Sequence, residues 1–371
     1  MKSYIKNTHI IFLSLLIFAC EPIATEFDDI EDAVMYQSAS VKEFSSKKTI
    51  KVMTWNIRFG VARLRFFGDG CGDKVIMTKS EVITGLKGLA AKIIEEDPDI
   101  LLLQEVDVQS KKTSYIDQAQ WLLDNTDMNY GAYASMWQAQ AILADGLGRV
   151  NTGNLILSKW KLENAERIQL PLRGDQDGLT KYFYLRRNVL KALVDMPGNK
   201  FYAVNTHLTA FATDDTKQKH IDTFYNILSS IDEDAIFVAG GDLNALTPNA
   251  EQRDFCYEDK CQNQICDGDY ENNEVYQASY FNHLDNEEEL LLPLYNDFYT
   301  AFNSLNVNQN INFTHSTWNE NENIPGDMSS EYWNRKLDYI FSSHPLIRGY
   351  THQDQYQLSD HAPVSVVLEI E

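Results

Sequence analysis

Five short apolar runs in this chain end alike, on a polar side chain of a type that does chemistry. Asn56 ends Val-Met-Thr-Trp-Asn, Glu105 ends Ile-Leu-Leu-Leu-Gln-Glu, and His207 ends Tyr-Ala-Val-Asn-Thr-His. Asp242 and Asn244 end Ile-Phe-Val-Ala-Gly-Gly-Asp-Leu-Asn, while Asp360 and His361 stand just before the last apolar run, Ala-Pro-Val-Ser-Val-Val-Leu. A charged group directly after a buried run is costly unless it is paired or holds an ion. One such residue means little, because every strand must end. Five of one design, mixing carboxylate, amide and imidazole, imply a polar pocket at a common edge.

The donor types select an ion. Carboxylate and amide oxygens are hard ligands that favour Mg2+, with Mn2+ or Ca2+ as alternatives, over zinc. Mg2+ keeps several waters and needs one or two protein carboxylates, so Glu105 with Asn56 would suffice, phosphate oxygens of a substrate completing the shell. An ion so placed neutralises charge on a phosphoryl group under in-line attack by water.

These residues need strands ending at one edge. The pattern predicts strands over 51–57, 100–103, 153–158, 188–195, 201–206, 235–240, 337–342 and 363–370. Val82, Leu86, Leu89, Ala90 and Ile93 fall at helical spacing, which predicts a helix over 81–96 that Pro98 punctuates. Further helices are expected at 116–125, 214–231 and 294–304. The run Ile100-Leu-Leu-Leu103 suits a strand buried on both faces. Strands outnumber helices, and no Gly-rich phosphate loop joins a strand to a helix, which disfavours a doubly wound nucleotide-binding sheet. Two packed sheets flanked by helices fit better.

Seven fragments carry a resemblance. Thr54-Trp-Asn-Ile57, Asp99-Ile-Leu-Leu-Leu-Gln-Glu-Val106, Gly153-Asn-Leu-Ile-Leu-Ser158, Asn205-Thr-His-Leu208, Gly241-Asp-Leu-Asn-Ala245, Leu337-Asp-Tyr-Ile-Phe341 and Ser359-Asp-His361 resemble, in order, the signatures of the endonuclease/exonuclease/phosphatase family. The resemblance covers roughly residues 50 to 371 and implies an α+β fold, a four-layer α/β/β/α sandwich of two mostly antiparallel sheets. It also implies roles: Asn56, Glu105 and Asp360 at the metal, Asp242 positioning or deprotonating the water, and Asn244 on the phosphate. His361 is implied as the essential histidine, oriented by Asp338; a carboxylate on one imidazole nitrogen selects the tautomer and raises basicity. His207 matches the histidine of the deoxyribonuclease and sphingomyelinase branches, a candidate to protonate the leaving oxygen. Asn205, Arg149 and Arg187 are the candidate substrate-binding groups, although a lone arginine is more often a surface ion pair. Trp137, Trp318 and Trp333 could line a cleft, with packing the simpler role for each.

The rest of the chain bounds the setting. Its formal charge of -22 gives no global electrostatic footprint for duplex nucleic acid or anionic lipid, although a local groove can override net charge. Lys2 and Lys6 precede the apolar stretch Ile10–Ala19, too short to span a bilayer but suited to a signal peptide over 1–19. Ile17-Phe-Ala-Cys20 looks like a bacterial lipoprotein box, which implies lipidation at Cys20 and an exported protein anchored to the membrane by lipid alone; an ordinary cleaved signal with an incidental Cys20, or an uncleaved signal anchor, is the alternative. Residues 20–48 read as an acidic tether, 49–371 as one catalytic domain, monomeric, and 250–292 as an acidic inserted loop. Cys71, Cys256, Cys261 and Cys266 are even in number and could pair in an oxidising compartment, in a connectivity the sequence leaves open. The expected substrate is a phosphate ester: nucleic acid, phospholipid headgroup or inositol-type phosphate. The competing class is a surface-binding protein that kept the fold without activity, from which the intact polar set argues. If Cys20 carries the anchor, Cys20→Ser releases the protein from membranes in a fractionation; continued membrane association would point to an uncleaved anchor instead.

Overall fold

The computed structural model describes residues 23–67, 72–210, 212–250, 255, 287–302, 307–316 and 333–370. Two sheets carry the fold. Its strands, in chain order, are β1 (Ile30–Asp32), β2 (Val34–Gln37), β3 (Thr49–Asn56), β4 (Ile100–Asp107), β5 (Tyr130–Ile142) and β6 (Gly148–Ser158). There follow β7 (Lys161–Gln169), β8 (Asn188–Met196), β9 (Asn199–His207), β10 (Ile236–Asp242), β11 (Asp338–Ser342), β12 (Leu346–Thr351) and β13 (Val364–Glu369). One sheet has the order β12-β13-β3-β4-β6-β5-β2 and the other β1-β7-β8-β9-β10-β11. Pairing is antiparallel except for β3 with β4 and β9 with β10.

Helices cover the outer faces, giving the four layers that the resemblance implies. Helix α1 (Lys79–Glu96) starts on a capping box between Thr78 and Glu81. It buries Val82, Leu86, Leu89 and Ile93 against Met53, Trp55, Leu101 and Leu103 of the first sheet, together with α2 (Gln118–Asp124). Each such side chain contributes roughly 1.5–3 kcal/mol when fully buried. A short helix, α3 (Gly178–Phe183), sits between β7 and β8. On the second sheet, α4 (Thr216–Ser229) and α5 (Leu292–Asp297) bury Ile221, Phe224, Leu291 and Leu294 against Val204, Phe237 and Phe341. Between the sheets lie Val52, Ile100, Leu102, Ile156, Ala192, Phe201, Ala203, Val238 and Val364. Strand alternation thus buries both faces of β3 and β4, which accounts for their near-continuous apolar runs.

The structure corrects three expectations. The described part of the expected tether, from Ile23 onward, is built into the fold. Thr25 N–H donates to Gln138 O at 2.8 Å, β1 pairs with β7, and β2 pairs with β5. This segment pairs with one edge strand of each sheet, β7 and β5, whose backbone groups would otherwise be unpaired. Second, the helix expected at 294–304 stops at Asp297, because Tyr299 exchanges backbone hydrogen bonds with Ser342 at 2.9 Å each way. Third, β7 (Lys-Leu-Glu-Asn-Ala-Glu-Arg-Ile-Gln) is a strand that its polar composition concealed. Cys20, Cys71, Cys256, Cys261, Cys266, Trp318 and most of the 250–292 insert lie outside the described residues.

At the end where Asn56, His207 and Asp242 terminate their strands, the filling between the sheets turns polar. Gln104 Nε2 donates to Asn205 Oδ1 at 2.7 Å and to Thr54 Oγ1 at 3.1 Å. Asn205 Nδ2 donates across the gap to the carbonyls of Leu103 (2.8 Å) and Leu155 (3.0 Å). Beside them Asn154 Nδ2 donates to Asn188 Oδ1 at 3.1 Å, and Asn188 Nδ2 donates to Ser135 O at 3.0 Å. These buried amides tie one sheet to the other below the pocket. Leaving such groups unpaired costs about 1–3 kcal/mol each. Asn205→Ala is therefore expected to lower the unfolding free energy by about 2 kcal/mol or more, read from urea midpoints; an unchanged midpoint would show that the clamp contributes nothing.

Candidate active site

Strand geometry aims most of the site. Along β3, Val52, Thr54 and Asn56 share the face toward the second sheet; on β9, Phe201, Ala203, Asn205 and His207 face back. Asp242 lies opposite His207 on one side and Asp338 on the other, through β10's pairing with β9 and β11. Glu105 is out of phase. Simple alternation would put it with Leu101 and Leu103, toward α1. A register shift between Leu103 and Val106, with Glu105 at φ 57°, turns its carboxylate back between the sheets. At Gly241, φ is 142° and an added Cβ would lie 1.9 Å from Thr206 O, so only glycine lets β10 run this close to β9.

The side chains converge. Asn56 Nδ2 donates to Glu105 Oε1 and to Asp242 Oδ2, both at 3.1 Å, and so joins a carboxylate of each sheet. Its Oδ1 accepts from Arg58 N–H at 3.1 Å. Ligation through oxygen would need the half-turn that exchanges the two ends of the amide. His207 Nε2 stands 3.3 Å from Asp242 Oδ2, and its Nδ1 is 4.0 Å from Glu105 Oε1. His361 Nδ1 is 2.8 Å from Asp338 Oδ2, which leaves Nε2 facing Asp242 Oδ2 at 3.6 Å. Trp55 Nε1 donates to His361 O at 2.9 Å, and Ser359 Oγ donates to Asn56 O at 2.7 Å, locking the last loop to β3. Asn244, at φ 47°, donates its N–H to Asp242 Oδ1 at 3.0 Å and its amide to Leu208 O at 3.1 Å.

Crowding four carboxylates here has electrostatic consequences. Burial, reinforced by Asp338 and Glu105, pushes Asp242 up to about 7, with His361 partly offsetting. Glu105 is raised by burial and then by Asp360. Burial disfavours charge on His361, but Asp338 and Asp242 outweigh it and push the imidazole up to about 10. Burial holds His207 well below its ordinary value, helped by Arg187 and His361. Asp360 is lowered: burial opposes its charge, and His361, Arg58 and Arg63 prevail. Mutually raised carboxylates with hard oxygen donors are what a divalent cation would relieve, so the donor set fits one.

The remaining candidates divide. Arg187 reaches the site, its Nη1 3.4 Å from His207 O, with Glu105 and Asp242 among the charges that act on it. Arg149 is half-buried at the start of β6 and enters none of these contacts. Asn205 is corrected: all its polar atoms serve the clamp between the sheets, so it holds the floor of the pocket rather than substrate. Asp360 lies 3.4 Å from Arg58 Nε, a cation that competes for its carboxylate. Trp137 donates to Phe183 O at 2.7 Å and Trp333 to Gln353 O at 3.1 Å, both packing roles.

The sequence reading missed His315. Its ring meets His361 edge-on at 4.8 Å between centroids, and His315, Asp360 and His361 present ligand atoms within 4.8 Å of one another, as do Asp242, Asp338 and His361. The second triplet is already explained by the imidazole–carboxylate pair. No apolar run ends on His315, so the strand-end signal could not find it. Also missed is a cavity of about 240 Å³ beside the strand ends, lined by Leu246, Thr247, Asn308, Asn334, Arg335 and Lys336. Burial pushes Lys336 down to about 7 there.

Comparison with known proteins agrees with this fold. The structure is similar to an endonuclease/exonuclease/phosphatase from Beutenbergia cavernae DSM 12333 (TM-score 0.54, 17% identity, covering 87% of this chain and 72% of that one). It is also similar to one from Bacteroides vulgatus (TM-score 0.51, 15% identity, 88% and 100% covered). A third similar structure is D. rerio TDP2 complexed with single strand DNA product (TM-score 0.50, 17% identity, 86% and 99% covered). At these identities the likeness concerns the fold. No curated protein sequence matches the chain. The family model described as Endonuclease/Exonuclease/phosphatase family matches residues 53–361, from within β3 to His361. With that span matched and the two-sheet architecture in place, the chain belongs to the endonuclease/exonuclease/phosphatase family.

Proposed function

We propose that this protein hydrolyses a phosphodiester or phosphomonoester with activated water in the presence of a divalent metal, Mg2+ first. The observation that carries the reading is the single amide of Asn56 touching Glu105 of one sheet and Asp242 of the other, with His361 3.6 Å from Asp242. Glu105 and Asn56, with Asp360 at the margin, would hold the ion. When bound, it would neutralise charge on the phosphoryl oxygens.

The protein's own groups supply the rest. Asp242, raised to about 7, is placed to orient a water and accept its proton. His361 is cationic at neutral pH through Asp338 and presents an N–H to a phosphoryl oxygen, where charge grows during attack. His207 stays the candidate to face the leaving oxygen: its Nε2 lies 3.3 Å from Asp242 Oδ2, in a setting where burial disfavours its charge. Arg187 adds a positive charge beside the pocket. The acidic balance of the whole chain favours a small or headgroup-sized ester over a long duplex. Export and lipid anchoring through Cys20 belong to the same proposal.

Two measurements test this reading on a soluble aryl phosphodiester. Activity depends on Mg2+ and is abolished by EDTA, and Glu105→Gln loses most of it at unchanged unfolding midpoint, with excess Mg2+ restoring it in part. Unchanged turnover in Glu105→Gln would remove the metal assignment. His361→Ala is expected to cost at least about 10²-fold in kcat/KM; a smaller loss would take His361 off the phosphate.

A further inference from the structure

The end of the molecule that carries the pocket is also where its most exposed apolar side chains lie. Among the described residues the three large hydrophobics with the greatest exposure are Leu143 (90%), Leu179 (73%) and Ile311 (63%). Leu143 caps the hairpin between β5 and β6. Those strands run on past the pocket: Val106, next to Glu105, pairs with Gly153, whereas Ile142 pairs with Gly148. The hairpin therefore overhangs the level of Glu105 by roughly 17 Å, at about 3.4 Å per residue. Helix α3, bearing Leu179, is packed on this hairpin through Tyr182 and Phe183 beside Trp137 and Ile142. Ile311 lies in the loop leading to His315, whose backbone bridges His361.

The N-terminal segment arrives at the same place. Gln140 N–H donates to Ile23 O at 2.8 Å, and Ala24 bridges Ala139. Ile23, itself 53% exposed, is thus pinned to the hairpin a few residues from Leu143. Cys20 precedes Ile23 by three residues, a reach of at most about 11 Å for extended chain. A lipid on Cys20 would therefore enter its bilayer beside the hairpin tip, with no long tether to let the body turn away.

We propose that the pocket-bearing end docks on the bilayer that the Cys20 lipid enters, with Leu143 and Leu179 reaching the acyl boundary and Ile311 on the opposite rim. No described helix is long and apolar enough to cross a membrane. Asp145 and Asp177 beside the two leucines are offset by Lys111, whose Nζ donates to Gly146 O at 2.9 Å in the same hairpin, and by Lys181 of α3, so the contact carries no strong charge preference and a zwitterionic surface suffices. The mouth of the pocket then opens onto headgroups. Resting on the phosphoesterase reading above, the substrate class is a phosphoester presented at a membrane surface, a phospholipid headgroup.

The test uses the lipidated protein, beginning at Cys20, on phosphatidylcholine/phosphatidylethanolamine vesicles. Leu143→Trp and Leu179→Trp are compared with Ile347→Trp, at the far end of β12, each against the parent protein. Brominated phosphatidylcholine is expected to quench the added emission at 143 and 179 and to spare that at 347. Equal quenching at both ends, quenching only at 347, or no vesicle binding would overturn the docking. This readout needs no activity, so it stands or falls apart from the phosphoesterase reading. In the second arm, the exposed pair Leu143→Asp/Leu179→Asp is expected to lose at least about fivefold in hydrolysis of vesicle phospholipid while keeping hydrolysis of a soluble diester. Equal rates on both substrates would overturn the docking as a determinant of substrate. Hydrolysis of the soluble diester alone by the parent protein would exclude the headgroup substrate.

Discussion

Glu105 and Asp242 belong to different sheets, and they share one pocket only because the two sheets are held face to face without slipping. Apolar packing cannot supply that register, since contacts among Val52, Leu102, Ala192 and Val238 are non-directional. Directional bonds do. Gln104, Asn205, Asn154 and Asn188 bridge the sheets at the level below the pocket, and Asn56 closes the bridge above by touching both carboxylates. Buried amides are expensive when mispaired, so one alignment satisfies them all and others leave donors stranded. The polar floor is thus part of the chemistry without contacting a substrate.

The same constraint sets the electrostatics. Once Glu105, Asp242, Asp338 and Asp360 are brought together out of water, their charges cannot all persist without compensation. The protein answers partly with its own cations. His361 takes a proton because Asp338 holds it, Arg58 stands beside Asp360, and Arg187 lies behind His207. What remains is a surplus of hard oxygen donors on the Glu105 side, where a divalent ion fits. The bulge that turns Glu105 toward the pocket, at the expense of a left-handed backbone angle, makes sense in this light.

The N-terminal segment shows a second use of sheet edges. Two short strands from it cover β7 and β5, so an acidic stretch that reads as a linker becomes a strap over both sheets. Its course also brings Ile23 to the β5–β6 hairpin at the pocket end. Edge coverage and this placement come from the same few backbone hydrogen bonds.

Much of this was legible in the sequence because it is local. Period-two alternation in β3, β9, β10 and β11 puts Asn56, His207, Asp242 and Asp338 on the inner face, and helical spacing finds α1 and α4. Polarity at the ends of apolar runs marks Glu105, Asp242 and His361 in the sequence itself. The failures are those where the deciding partner is distant. β1 and β2 are strands because β7 and β5 offer open edges, and the 294–304 helix ends early because Ser342 claims Tyr299. Asn205 looks like a site residue but is spent between sheets, and His315 reaches His361 through a loop with no periodicity. Residue order alone determines which groups a strand can present on each face. Only the packing of one sheet on another decides which presented groups meet, because that choice is made by hydrogen bonds between residues as far apart as Asn56 and Asp242.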